Sequence, residues 1–392
     1  MNKRCLQSPV FKYNKKMFAV LINKKNKLIY LVLTLVALLT GCSAFDGLLQ
    51  VGPDSVEDGR GQFNTVIAET NDQQLLLNLV KRRYGDNIAL LEVNSVSTTL
   101  EWKRGGGLAL NIFDGDANDS NNIGLNANGA YTERPTITYL PVKGPELIKK
   151  TLSPLDPDVL ILLSRSGWRM DRVMKLALNA INDIDNASAA SGPTPALAPD
   201  SSEFNSLLLA IGKLGRGNFQ LGYTLVNNQR VLALSVKKSM IDTPEMQDFI
   251  NVLKIDKHLL YVVNVDSNTD FRSGSEIDIE LRSLAGIEFY LSHGVQVPEE
   301  HLKNKKVQLS YTADGDAYDW NLIFRNLFQV YSSKEEPSSD LVATKVFWRG
   351  YWFYIDDSDI NTKYTFMLLN QINALQSGNV ENAGPLLTLP VN

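Results

Sequence analysis

Little in this chain does chemistry unaided. Its 392 residues include two cysteines, Cys5 and Cys42, too few for a disulfide framework or a cysteine-built metal site. It has three histidines, His258, His293 and His301, with no H-E-x-x-H spacing, so the expectation is exposed loop histidines and no metal. A Walker loop is absent, and LGRG at Leu214–Gly217 lacks the rest of a dinucleotide fingerprint. Ser164 and Ser166 in SRSG do not make the G-x-S-x-G elbow and read as helix-end residues. No catalytic residue and no cofactor is expected from these patterns. A bilayer-length apolar run is also missing. The longest, Leu28–Leu39, would span only about 18 Å as a helix against a hydrocarbon core of about 30 Å.

What the first 41 residues do have is the layout of an export signal. A leader with eight basic residues and no acid precedes the apolar run, which ends in LTGC at Leu39–Cys42. That ending resembles the lipobox of bacterial lipoproteins. The resemblance implies cleavage before Cys42 and lipidation of Cys42, giving an anchor of several acyl chains. Each buried CH₂ contributes about 0.8 kcal/mol, so such an anchor holds stably. Ser43 in place of an aspartate implies export to the outer membrane, with the body on the periplasmic face. Met17 is an alternative start, and residues 17–41 alone still form a complete signal.

Removing the leader's eight basic residues from 39 leaves 31 against 43 acidic, a net charge of −12. A surface of that sign repels nucleic acid and anionic headgroups, so no nucleic-acid partner is expected and membrane contact falls to the lipid. Residues 42–62 read as a flexible tether. Residues 63–186 read as a helix (NTVIAETNDQQLLLNLVKRRYGD), a hairpin of ALLEVNSVSTTLEWKRGGG with GLALNIF, a polar loop at 114–130, a short strand at TITYLPV, and three helices ending with MDRVMKLALNAINDI. In the polar loop Asp114, Asp116, Asn118 and Ser120 mimic half a calcium loop, but Asp119 and Leu125 stand where glycine and glutamate are needed. Residues 187–200, ASAASGPTPALAPD, read as an exposed linker or loop, and 201–392 as a C-terminal α+β domain. The fold class expected overall is α+β, with small mixed or antiparallel sheets, packed helices and a central helical segment.

One stretch invites a functional reading. In GYWFYIDDSD, Gly350–Asp359, strand alternation puts Tyr351, Phe353 and Ile355 on one face and Trp352 and Tyr354 on the other. Asp356, Asp357 and Asp359 suit a turn and the cap of the following helix. The same residues allow a second reading, in which Trp352, Tyr354, Asp356 and Asp357 form a candidate binding face for a glycan or peptide.

Five segments, NDQQLLLNLVKRRYGD, ERPTITYLPV, ASGPTP, RGYWFYIDDSD and LLTLPV, resemble a family of uncharacterised proteobacterial lipoproteins over most of residues 60–392. The resemblance implies an envelope lipoprotein and carries no activity with it. The preferred expectation is a non-catalytic assembly or interaction module with an envelope protein partner. A glycan- or peptide-binding protein comes next, and a periplasmic hydrolase using Asp356 and Asp357 last.

Overall fold

The computed structural model describes residues 53–88, 91–111, 122–141, 151–215, 217–265 and 274–377. The leader, Cys42, the loop acids at 114–120 and the C-terminal LLTLPV lie outside them. The chain divides into two compact units, 1–69 and 70–392. Helix α1 (Pro53–Arg83) starts inside the stretch expected to be tether. Its Leu75, Leu76, Leu79 and Val80 are buried at the predicted helical spacing.

The long hairpin differs from expectation. Gly105–Gly107 are not its turn. Strand β1 (Leu91–Asn111) runs straight through them and pairs antiparallel with β2 (Asn122–Pro141), from Leu91↔Pro141 to Asn111↔Asn122, with one bulge between Val93 and Ser95. The reason is visible in phase: Leu100, Trp102, Leu108 and Leu110 keep the same parity across the glycines, so the alternation never restarts. The presumed polar loop 114–130 therefore gives its last nine residues, 122–130, to β2.

The remaining elements form an α+β body. Helices α2 (Pro157–Arg165) and α3 (Met170–Ala177) lead into β3 (Leu178–Ile181) and β4 (Ile184–Asp185). Then follow α4 (Ser202–Leu214), β5 (Phe219–Val226), β6 (Gln229–Val236), α5 (Pro244–Leu253), β7 (Leu260–Val265), β8 (Glu276–Leu281), α6 (Leu284–Ser292) and α7 (Glu299–Lys303). The last are α8 (Asn321–Phe324), β9 (Tyr331–Ser333), β10 (Val342–Trp348), β11 (Tyr351–Asp356) and α9 (Ile360–Ser377). A mixed six-stranded sheet has the order β4-β3-β8-β7-β6-β5, with only β7 and β8 parallel; a three-stranded antiparallel sheet has the order β10-β11-β9.

Two helices start on side-chain caps. Thr243 accepts from the Met246 N–H with Pro244 at the first turn, and Ser283 accepts from the Gly286 N–H. The expected helix 170–184 stops at Ala177 instead. There the Asn186 amide donates to the carbonyls of Lys175 and Leu178, and the Arg282 guanidinium donates to those of Lys175 and Leu176. With its terminal carbonyls taken by side chains, the chain is free to continue as a strand.

Residues 187–200 also differ from the exposed linker expected. Ala187 and Ala190 are fully buried, and Ser188–Ser191 is a short 3₁₀ turn. Arg282 donates to Ser191 Oγ and to the Asn186 carbonyl, while the Tyr311 N–H donates to the Ala196 carbonyl and the Tyr311 carbonyl accepts from the Ala198 N–H. KVQLSYT, residues 306–312, alternates like a strand but contributes only isolated bridges at Tyr311. Among the described residues no helix is long and apolar enough to cross a membrane.

Candidate functional sites

The aromatic stretch forms β11, and a tight turn joins it to β10. Arg349 and Gly350 both adopt positive φ, 48° and 87°, which is the two-residue turn that fits the right-handed strand twist. The predicted faces hold. Phe353 and Ile355 are fully buried, and Val346 pairs with Phe353 on the inner side. On the outer side Phe347 pairs with Trp352, ring centroids 5.3 Å apart, and Tyr354 meets Tyr331 at 5.8 Å. Phe347 is 55% exposed. Lys345 Nζ stands 5.5 Å over the Trp352 ring and pairs with Glu336 at 2.9 Å. Trp352 and Tyr354 thus belong to an outward aromatic platform with one cation beside it.

The aspartates are engaged separately. Asp356 accepts from both the N–H and the hydroxyl of Ser358, which holds its carboxyl below the usual range. Asp357 pairs with Lys363 at 2.5 Å. Asp359 caps α9, accepting from the Thr362 N–H at 3.1 Å and the Thr362 hydroxyl at 2.6 Å. A retaining or inverting hydrolase needs two carboxylates facing one bond; here each neighbouring acid has its own local partner.

Two histidines depart from expectation: His293 and His301 are buried, at 4% and 1% exposure. His293 ends α6, stacked on Trp320 at 4.1 Å between centroids. Burial drives its pKa down to about 3, with Arg83 pushing the same way. Its ring nitrogens lack a well-formed hydrogen bond, and the backbone of Ala190 is the polar group that faces it. His301 Nδ1 lies 2.7 Å from the Tyr84 hydroxyl, joining α7 to the end of α1. Among the described residues no group of three His, Cys, Asp or Glu side chains could hold a metal ion.

A second site lay outside the sequence reading. A cavity of about 510 Å³ opens between the six-stranded sheet and the helices on one face. The sheet supplies Leu178, Leu221, Leu234, Val263 and Ile279, and the helices supply Leu160, Met174, Ile211 and Phe249. Its polar groups include Ser164, Arg165, Arg169 and Asp171, with Trp168 beside them. Arg169 clamps Asp171 through Nη2 at 2.6 Å and Nε at 3.1 Å, and Trp168 donates to Gln371 at 2.7 Å. Gly222 on β5 clears space for Arg165: a Cβ there would meet the guanidinium at 3.0 Å. The volume falls within the usual range for a small-molecule pocket, about 300–1,000 Å³, and the lining is mainly apolar. An elongated apolar molecule with an acidic end fits this chemistry.

No family model, no curated protein and no solved structure matches the chain.

Proposed function

We propose that the chain is a lipid-anchored envelope protein, held through Cys42 at the periplasmic face of the outer membrane, that works as a non-catalytic binding module. Its ligand is an apolar chain with an acidic end, carried beneath the six-stranded sheet. The LTGC signature supports the anchor, and the five segments resembling proteobacterial lipoproteins support the setting. The observation that carries the binding role is the apolar cavity with Arg165 and Arg169 in its lining. Burying an alkyl chain there gains about 0.8 kcal/mol per CH₂, and the guanidinium groups suit a carboxylate or phosphate.

The test is displacement of a fluorescent fatty acid from protein secreted as Cys42→Ser, which lacks its own acyl groups. Unlabelled fatty acid displaces the probe, and Val263→Trp, which fills the cavity, weakens binding about tenfold. No probe binding, together with no lipid extractable from protein purified under native conditions, overturns the reading. For the anchor, intact mass should show the leader removed and acyl groups added, with the addition abolished in Cys42→Ala.

The half-buried Phe347–Trp352–Tyr354–Tyr331 platform, with Phe347 exposed, favours a second reading, a glycan or peptide held by stacking. Trp352→Ala should then lower retention on peptidoglycan at least fivefold without shifting the thermal midpoint by more than about 3 °C.

A further inference from the structure

We propose that the β1–β2 hairpin is a membrane-spanning unit, and that hairpins from several copies of this chain close a β-barrel through a lipid bilayer. The warrant lies in register. From Leu110 back to Trp102, the pairs Leu110↔Ile123, Leu108↔Leu125, Gly106↔Ala127, Arg104↔Gly129 and Trp102↔Tyr131 share one face. The pairs between them, Ala109↔Gly124, Gly107↔Asn126, Gly105↔Asn128 and Lys103↔Ala130, share the other. Apart from Arg104, one face carries only apolar and small residues and ends in an aromatic pair; the other carries Lys103 with small and polar residues. That alternation, about nine residues per strand with an aromatic belt at one end, is what a barrel strand needs between lipid and a watery lumen.

Length agrees. Eight residue steps cover about 27 Å along a strand, or about 20 Å once tilted, close to the ~25 Å apolar band of outer-membrane barrels. Arg104 lies one same-face step from the aromatic pair, at the end of the apolar run.

The hairpin cannot span alone. Among the described residues it is a sheet of two strands, so both outer edges carry unpaired backbone groups. Hydrocarbon offers those groups no partner, and closure is the only arrangement of strands that satisfies them. A second copy presents the same two edges, and the smallest barrels have about eight strands, which sets a minimum of about four copies. A heterologous ring of this kind needs no other protein. The inference stands apart from the cavity, which lies in the six-stranded sheet.

The test uses the full lipidated chain in phosphatidylethanolamine–phosphatidylglycerol vesicles loaded with a small anionic fluorophore. Wild type should form oligomers, release the dye, and shield Lys103 and Arg104 from trypsin. Leu108→Arg and Leu125→Arg, on the apolar face, should lower release at least tenfold. Asn126→Arg adds the same charge on the other face of the same strand and should leave release within about threefold while favouring anions. Thermal unfolding of each variant's body should match wild type, which separates insertion from folding. Monomeric wild type with freely cleaved Lys103 and Arg104 overturns the proposal. So does an equal loss in Leu125→Arg and Asn126→Arg, since face would then be irrelevant.

Discussion

His293 shows how a single side chain can be decided by what surrounds it. Its ring lies nearly parallel to Trp320, 8° apart, in a site that water does not reach. Burial keeps it neutral, with a pKa near 3 where the unfolded chain has the ordinary value near 6.5. Between those values the unfolded state binds a proton that the native state refuses. Stability from this residue is therefore present above pH 6.5 and lost as pH falls toward 3, by at most about 1.4 kcal/mol per pH unit. The variant His293→Phe keeps the stack and removes the proton; its midpoint of urea unfolding should fall less steeply between pH 6.5 and 4 than that of wild type. Asp359 is the opposite case, legible in the sequence as a cap and found as one. Asp359→Ala should cost about 1 kcal/mol in chemical denaturation. The cap could be read because its partners are three residues away. The histidines could not, because Trp320 and Tyr84 reach them from distant parts of the chain.

At the scale of elements, local rules decided wherever no distant group intervened. The hairpin at Asn227-Asn228 and the helix with Thr243 and Pro244 follow from turn and cap chemistry alone. Helix α3 failed because its ending is set by Asn186, 8 residues beyond Leu178, and by Arg282, over 100 residues away. Asn186→Ala removes two buried bonds to those carbonyls, and a loss of about 2–3 kcal/mol is expected in chemical denaturation. If the carbonyls instead extend the helix, circular dichroism should show added helicity, and the loss should be smaller. The tight turn offers a simpler check. Gly350 has φ 87°, so Gly350→Ala should cost about 1 kcal/mol while leaving the cavity intact.

For the whole molecule, the α+β class was legible because helix and strand periods alternate along the chain. The cavity was not, because its walls come from three helices before β5, one after it, and five strands. Each of its apolar residues obeys the same pattern as one that fills a core. Only the separation of sheet from helices leaves room, and that distance is a property of the assembled fold.

The interior's most unusual feature is also a property of assembly: two cations sit close together without a carboxylate bonded to either. Arg282 is fully buried and spends its donors on the Lys175, Leu176 and Asn186 carbonyls and on Ser191, with Tyr290 4.1 Å below the guanidinium. Lys175, also buried, donates to Asn205 at 2.9 Å and stands 5.4 Å from the Phe204 ring. Burial first, and then the neighbouring Arg282 charge, lower the lysine pKa to about 7. In the unfolded chain it returns to about 10.4. Between pH 7 and 10 the unfolded state therefore holds more protons, and the sign of the linkage makes stability rise with pH, by at most about 1.4 kcal/mol per unit. Lys175→Met keeps the stem and removes the charge. Asn205 is exposed, so water replaces the lost bond. The variant should be at least as stable as wild type at pH 6.5, and its own stability should stay flat up to pH 10. A variant less stable at pH 6.5, with the rise still present, would place the titration elsewhere and show the ammonium to be a net support for the fold.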